Sequence, residues 1–386
     1  MKTTQFIIFF SVVLLVYFSV NYYIYVRGIQ AIPVNSSYRM IYRILFFFLA
    51  SSFVISRFAE RIIINPATES LVWLGGIWLG AMLYFFLFIV VFDILRLGNH
   101  FFNFFPSFLT DDYPKIKLIA FLGVNAAVII ILTAGYLNAI RPNIKEISIN
   151  IDKKAGNITS LKIAMASDIH LGTMISNGRL AKLVNEINSM NPDIILLAGD
   201  VVDESIEPII KYNIGENLRK FRSKYGVYAI TGNHEYIGGV EKAVKYCEEH
   251  GMTFLRDKSI LIDSAFFLVG REDRDMSRFA GRKRKPLPEL LNGLDKNLPI
   301  IVMNHQPFEL AEAVENGVDL HLSGHTHHGQ LWPLNFITKA VYEISWGYKK
   351  TGNTNFYVSS GYGTWGPPFR TGNTPEILLF KVKFRD

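Results

Sequence analysis

Four long apolar runs in the first third constrain this chain more than any other feature. They extend from Gln5 to Val26, Ile41 to Val54, Leu71 to Leu95 and Ile116 to Ile140. A helix that crosses a bilayer needs about 20 apolar residues. Lipid offers no partners to backbone N–H and C=O groups, so only helices and closed barrels span it. The first, third and fourth runs have the length. The second, IYRILFFFLASSFV, is shorter and carries Arg43, but apolar residues continue to Phe58. Arg43 can reach the interface along its aliphatic stem, so this run also reads as a span. The first run exits through NYYIYVRG, aromatic and basic, where a cleaved signal would end in small residues. Tyr22, Tyr23 and Trp73 near the run ends suit interfacial belts. The expectation is an all-α transmembrane domain of about four helices over residues 1–144, multi-pass in the cell membrane.

Orientation does not follow. Four spans put both termini on one side, with Lys2, Arg57, Arg61, Arg141 and Lys145. The other side would carry Arg27, Arg39, Arg43, Arg96, Lys115 and Lys117. The positive-inside rule needs an asymmetry that these residues do not supply. Asp93, late in the third run and near Arg96, reads as a structural interfacial residue. No paired charges join the runs in the sequence, so anchoring is a simpler reading than transport.

After Ile140 the grammar changes. KEISINIDKK alternates as a strand does, and LKIAMASD reads as a buried strand. A helix follows over Ser176–Met190, then the strand DIILLAGD, a helical stretch ending near Lys224, the strand GVYAITGN and a helix over Val240–His250. MTFLRD, SILID and AFFLVG are short strands in quick succession. PIIVMNH, VDLHLSGH, NFYVSSG and EILLFKVKF complete the series. This is an α/β pattern with a late antiparallel component. The single cysteine, Cys247, excludes an intrachain disulfide and reads as a packed helix residue without activating neighbours. The net charge of +7 suits anionic lipid, phosphorylated substrates or nucleic acid, and does not choose among them.

Chemistry gathers where strands end. LKIAMASD leads into Asp168 and His170, DIILLAGD into Asp200 and Asp203, GVYAITGN into Asn233, His234 and Glu235, PIIVMNH into His305, and VDLHLSGH into His325 and His327. In open α/β sheets the C-terminal edge is where ligands bind, so these side chains should meet. Each fragment alone is weak; Gly-Asn-His by itself reads as turn chemistry. Together they offer oxygen and imidazole donors and no thiolate, a set that selects Mn, Fe, Zn or similar divalent ions. Seven of these side chains, Asp168, His170, Asp200, Asn233, His305, His325 and His327, are candidate donors, more than one tetrahedral ion takes. Two ions about 3.5–4 Å apart, sharing a carboxylate, would use them and could clamp a phosphoryl group. His321, inside its strand, reads as a structural core histidine.

The order D-x-H, G-D-x-x-D, G-N-H-E, H, G-H-x-H resembles the calcineurin-like metallophosphoesterases, over residues 145–386. The resemblance implies two facing mixed β-sheets flanked by helices, with the site at the sheet edges. It implies one metal held by Asp168, His170 and His327, a second held by Asn233, His305 and His325, and Asp200 bridging. His234 would then not bind metal but stabilise phosphoryl oxygens or protonate the leaving group, while Asp203 and Glu235 orient the site. The tail Gly361–Arg370 (GYGTWGPPFR), followed by TGNTPEI, resembles the membrane-associated bacterial subgroup. That subgroup includes UDP-2,3-diacylglucosamine pyrophosphatase-type enzymes. Its usual segment reads GHTHGGQ; here His328 replaces the first of the later glycines. Arg370, Trp365 and His328 are candidates for the substrate rim.

The reaction so implied is hydrolysis of a phosphodiester or pyrophosphate by metal-hydroxide attack, with two divalent ions as cofactors and a lipid-linked or nucleotide-linked substrate. The basic stretch Arg271, Arg274, Arg278, Arg282, Lys283, Arg284, Lys285 would either hold headgroup phosphates or form a solvated loop or electrostatic anchor. A nuclease or cyclic-nucleotide phosphodiesterase on the same core is the alternative enzyme, although four spans suit neither and nucleic acid is not the expected partner. A non-catalytic membrane scaffold or sensor would be expected to have lost donors, and this chain has lost none.

Overall fold

A computed structural model describes residues 3–385; Lys2 lies outside the described residues. The chain divides into two compact units, Met1–Tyr136 with Gly366–Phe369, and Leu137–Trp365 with Arg370–Asp386.

The first unit is built from α1 (Thr3–Ala31), α2 (Tyr38–Ile62), α3 (Pro66–Phe102) and α4 (Tyr113–Ala139), each long and apolar enough to cross a membrane. The second apolar run is therefore part of a full-length helix. With 25 residues and a rise of about 1.5 Å each, α2 exceeds the ~30 Å hydrocarbon core. Helix α3 starts at a capping box, in which Asn65 Oδ1 accepts from the Ala67 and Thr68 amides, and Pro66 opens the first turn. Between α2 and α3, a Cβ on Gly75 would run into the Phe53 backbone, the close approach that small residues allow between spanning helices. Inside the unit, Trp78 Nε1 donates to Asn21 Oδ1 at 2.9 Å. One expectation is corrected. Charges do pair between the runs: Arg27 of α1 lies 2.5 Å from Asp93 of α3, with Arg96 at 3.3 Å. Residues so distant in sequence give no local signal of that pairing.

The second unit is a sandwich of two mixed six-stranded sheets with helices on both outer faces. The first sheet has the order β1-β12-β2-β3-β4-β5. It comprises β1 (Asn143–Ile151), β2 (Ser160–Ala166), β3 (Ile194–Leu197), β4 (Val227–Ala229), β5 (Thr253–Phe254) and β12 (Glu376–Phe384). The second has the order β10-β11-β9-β8-β7-β6. It comprises β6 (Lys258–Ile262), β7 (Phe266–Gly270), β8 (Ile300–Met303), β9 (Leu320–Ser323), β10 (Gly347–Thr351) and β11 (Thr354–Val358). Strands β2 to β5 run parallel, as do β7, β8, β9 and β11, while β6, β10 and the β12–β2 pair add antiparallel contacts.

Period-two alternation divides the core into layers. Ile163 and Met165 of β2 face Phe266, Leu268, Ile301 and Met303 between the sheets. Ala164 and Ala166 face outward onto Leu180, Leu183, Val184 and Ile187 of the helix Asn177–Ser189. Val302 and Ile300 cover the other outer face with Leu287, Leu290 and Leu310. The stretch expected to be helical up to Lys224 is instead a short helix at Glu207–Lys211 and a 3-10 turn at Ile214–Lys220. Strand β10 and the helix Leu334–Val341 had no counterpart in the sequence reading.

Candidate metal centre

Every donor singled out above follows the C-terminal end of a strand. Asp168 and His170 follow β2, Asp200 follows β3, Asn233 follows β4, His305 follows β8, and His325 and His327 follow β9. The parallel register of β2, β3 and β4, and of β8 and β9, brings those ends to common edges. Three groups of side chains result: Asp168, His170 and His327; Asp200, His305 and His325; and His170, Asp203 and His234. In each group the donor atoms lie within 4.8 Å of one another.

The distances describe a cage. His170 Nε2 and His327 Nε2 face each other at 3.0 Å, and His327 Nε2 lies 3.6 Å from Asp168 Oδ1. Asp200 Oδ2 is 3.0 Å from His305 Nε2 and 3.9 Å from His170 Nε2, so this carboxylate stands between the two groups. Asn233 Oδ1 is 2.9 Å from His325 Nδ1 and 3.3 Å from His305 Nε2. The backbone is contorted to achieve this. Asp168, His170, Asp200, His325 and His327 all have left-handed φ, between +43° and +73°. Non-glycine residues adopt that region at a cost, and such strain collects at functional sites.

Supporting groups fix the donors. His305 Nδ1 contacts the Ala198 carbonyl at 2.8 Å. Glu235 accepts from the amides of Asp200, Val202 and Gly232, tying the ends of β3 and β4 together. His234 Nδ1 lies 2.9 Å from Asp203 Oδ1, and its ring lies 4.5 Å from that of His170.

Electrostatics fit cation binding. Burial pushes His325 down to about 3, and burial with His170 and Arg370 nearby pushes His327 well below the usual imidazole range, so both offer free lone pairs. Burial opposes charge on Asp200, yet His305 and His234 hold it well below the ordinary carboxylate range. Burial also works against protonation of His234, but Asp200 and Asp203 hold it up at about 9. Asp168 Oδ2 is buried and makes no hydrogen bond among the described residues. An orphaned, buried carboxylate oxygen calls for a cation, because burying it alone is costly. The donor set thus fits divalent ions of the kind that take nitrogen and oxygen.

The three rim candidates fare differently. Trp365 is half exposed and its ring lies 5.6 Å from His234, at the mouth. Arg370 is fully buried. Its guanidinium donates to the carbonyls of Ser360 and Gly363 and lies 3.2 Å from His327 Nδ1, so it braces a donor from below and is not at the rim. His328 is buried too, with Nδ1 3.1 Å from Ser345 Oγ and its ring on Trp346. Sequence reasoning missed the brace from Asn373 Nδ2 to the His327 carbonyl, which has no motif signature.

The basic stretch is partly consumed by the fold. Arg271 is buried beside Glu309 and Glu312, and Arg284 bonds Asn304 and Glu309. Arg274 stays exposed over the Phe308 ring.

Residues 161–329 match the family model of the calcineurin-like phosphoesterases. An uncharacterized metallophosphoesterase of Helicobacter pylori is 32% identical over 282 residues, covering 72% of this chain and 74% of that protein. This chain belongs to the calcineurin-like phosphoesterases. An uncharacterized metallophosphoesterase of Campylobacter jejuni is 28% identical over 391 residues, with 98% of this chain and 99% of that one covered. A zebrafish protein named as a transmembrane protein with metallophosphoesterase domain is 29% identical over 262 residues, 64% of this chain and 59% of its own length. This calcineurin-like phosphoesterase is a multi-pass membrane protein, with its metallophosphoesterase domain anchored by four apolar helices.

Proposed function

We propose that the protein is a membrane-anchored hydrolase of a phosphodiester or pyrophosphate bond in a lipid-linked or nucleotide-linked substrate. The anchor would be residues 1–144 and the catalytic domain 145–386. The observation that carries the reading is the adjoining pair of His/Asp groups with Asp200 between them.

Asp168, His170 and His327 would hold one divalent ion, and Asn233, His305 and His325 the other, with Asp200 shared. Such ions, when bound, neutralise phosphoryl charge and activate water near neutral pH. The residues of the chain do the rest. Glu235 keeps the Asp200 backbone in place through its amide bonds. Asp203 fixes the His234 ring through Nδ1, which leaves Nε2 to donate a proton to the departing oxygen. His234 is held in its protonated form by Asp200 and Asp203, as that role needs. Trp365 offers an apolar wall beside His234 for the substrate's organic part. The tail GYGTWGPPFR and the membrane anchor support the narrower reading, a bond of the UDP-2,3-diacylglucosamine pyrophosphate type.

The test is to purify the full chain in detergent with Mn and to assay a generic phosphodiester, a phosphomonoester and a UDP-linked diacyl lipid side by side. Cleavage of the diester or the lipid pyrophosphate, abolished by Asp200→Asn, is expected. Preference for the monoester would overturn the bond type, and no release from any of the three would overturn the enzymatic reading.

A further inference from the structure

We propose that the segment from Trp332 to Tyr348 is an interfacial contact that seats the catalytic unit on an anionic bilayer surface. The helix Leu334–Val341 has no buried residue. Phe336 and Ile337 are each 59% exposed and Val341 58%, with Trp332 at 51%, Tyr348 at 47% and Trp346 at 43%. At 3.6 residues per turn, Phe336, Ile337, Ala340 and Val341 share one face. Single exposed apolar side chains are ordinary, but a run of this size marks a contact surface. The segment is rooted rather than loose. Gly329 packs against the backbone at Leu334 and Asn335, and the Trp346 ring sits 5.3 Å from that of His328.

Charge identifies the occupant as lipid. Lys339 and Lys350 are exposed and make no ion pair among the described residues, while the acidic Glu343 is already paired with Lys349 at 2.8 Å. An apolar face with Trp and Tyr, flanked by free lysines, has the composition of elements that lie in the headgroup region of anionic membranes. Connectivity supports the same occupant. Helix α4 ends at Ala139 and β1 begins at Asn143, so only Ile140, Arg141 and Pro142 separate a spanning helix from the sandwich. A tether that short makes even a weak lipid contact intramolecular in effect. Only Gly329, Gln330 and Leu331 separate the segment from His327 and His328, so the contact would hold that loop at the surface where a lipid-linked substrate resides. That consequence rests on the phosphoesterase reading; the contact itself does not.

The test uses the full chain in liposomes of phosphatidylcholine with phosphatidylglycerol. Phe336→Cys is labelled with an environment-sensitive fluorophore, with Lys245→Cys, 77% exposed on another helix, as control. Cys247 is buried and stays unlabelled. With nitroxide lipids quenching at the shallow acyl level, the Phe336 label should lose about half its emission and the control almost none. The loss should shrink when phosphatidylglycerol is omitted. Equal quenching of both labels, or none, would overturn the proposal. So would a Phe336 label shielded from aqueous iodide yet untouched by lipid quencher, which would mean a second copy or another protein. No turnover is read, so failure of the enzymatic reading shows separately.

Discussion

His234 sits among the candidate donors, and the proposed function gives it a different task, as proton donor. Its Nδ1 is engaged by Asp203, and its ring lies 5.6 Å from that of Trp365. His234→Ala should retain full metal content by elemental analysis and lose about 10²–10⁴-fold in turnover, the usual weight of a positioned proton donor. Loss of metal in that variant would move His234 into the donor set. His321 makes a contrasting case. Burial, with Arg271 and Arg284 nearby, pushes it down to about 3, whereas an unfolded chain takes up that proton near pH ~6.5. Its contribution to stability is complete above pH ~6.5 and is lost as pH falls toward ~3, because only the unfolded state gains the proton. His321→Leu should therefore flatten the fall in melting temperature between pH ~6.5 and ~4. The seven candidate donors were legible as a set because metal chemistry admits few residue types, and the fold gathers these side chains at the strand ends. The burial of Arg370 was not, since an arginine after Pro-Pro-Phe looks the same in sequence whether it faces solvent or braces His327. The left-handed φ of His328, +42°, was equally hidden; its ring contacts with Ser345 and Trp346 hold a conformation that a glycine would take freely.

At the scale of elements, the turns after the strands matter as much as the strands. Gly199, at φ +88°, lies against the His305 ring, and a Cβ there would meet Nδ1 at 2.5 Å. Gly199→Ala should cost about 1–3 kcal/mol from backbone strain and steric conflict. It should also weaken metal binding by displacing His305, measured as a higher Mn requirement for activity. Strands such as β2, β3, β8 and β9 were readable because buried parallel strands are short continuous apolar runs bounded by polar turns. Strand β10 and the helix Leu334–Val341 were not, because β10 is almost wholly exposed and the helix, only eight residues long, turns its apolar face away from the core. The stretch before Lys224 is not one helix, because Pro208 opens only the short helix Glu207–Lys211 and the left-handed Asn213 divides it from the 3-10 turn that follows. Pairing of Arg27 with Asp93 belongs to helix packing, which local sequence does not encode.

The whole molecule joins two kinds of stability. Helices α1 to α4 satisfy their own backbone in lipid, whereas the sandwich buries imidazoles and carboxylates on left-handed backbone, a cluster that a bound cation would stabilise. A chelator should therefore lower the melting temperature of the sandwich, and Mn should restore it, since an ion bound only by the native state stabilises by mass action. The division into spanning helices and an α/β body was legible from the change of grammar near Ile140, because lipid and water impose different hydrophobic patterns. The account as a whole stands on two cations sharing Asp200. Elemental analysis of the purified chain measures this directly. The account predicts about two divalent ions per chain, falling to one or none in Asp200→Ala. A wild-type chain with one ion or none at full activity, or an Asp200→Ala chain that keeps both, would contradict it.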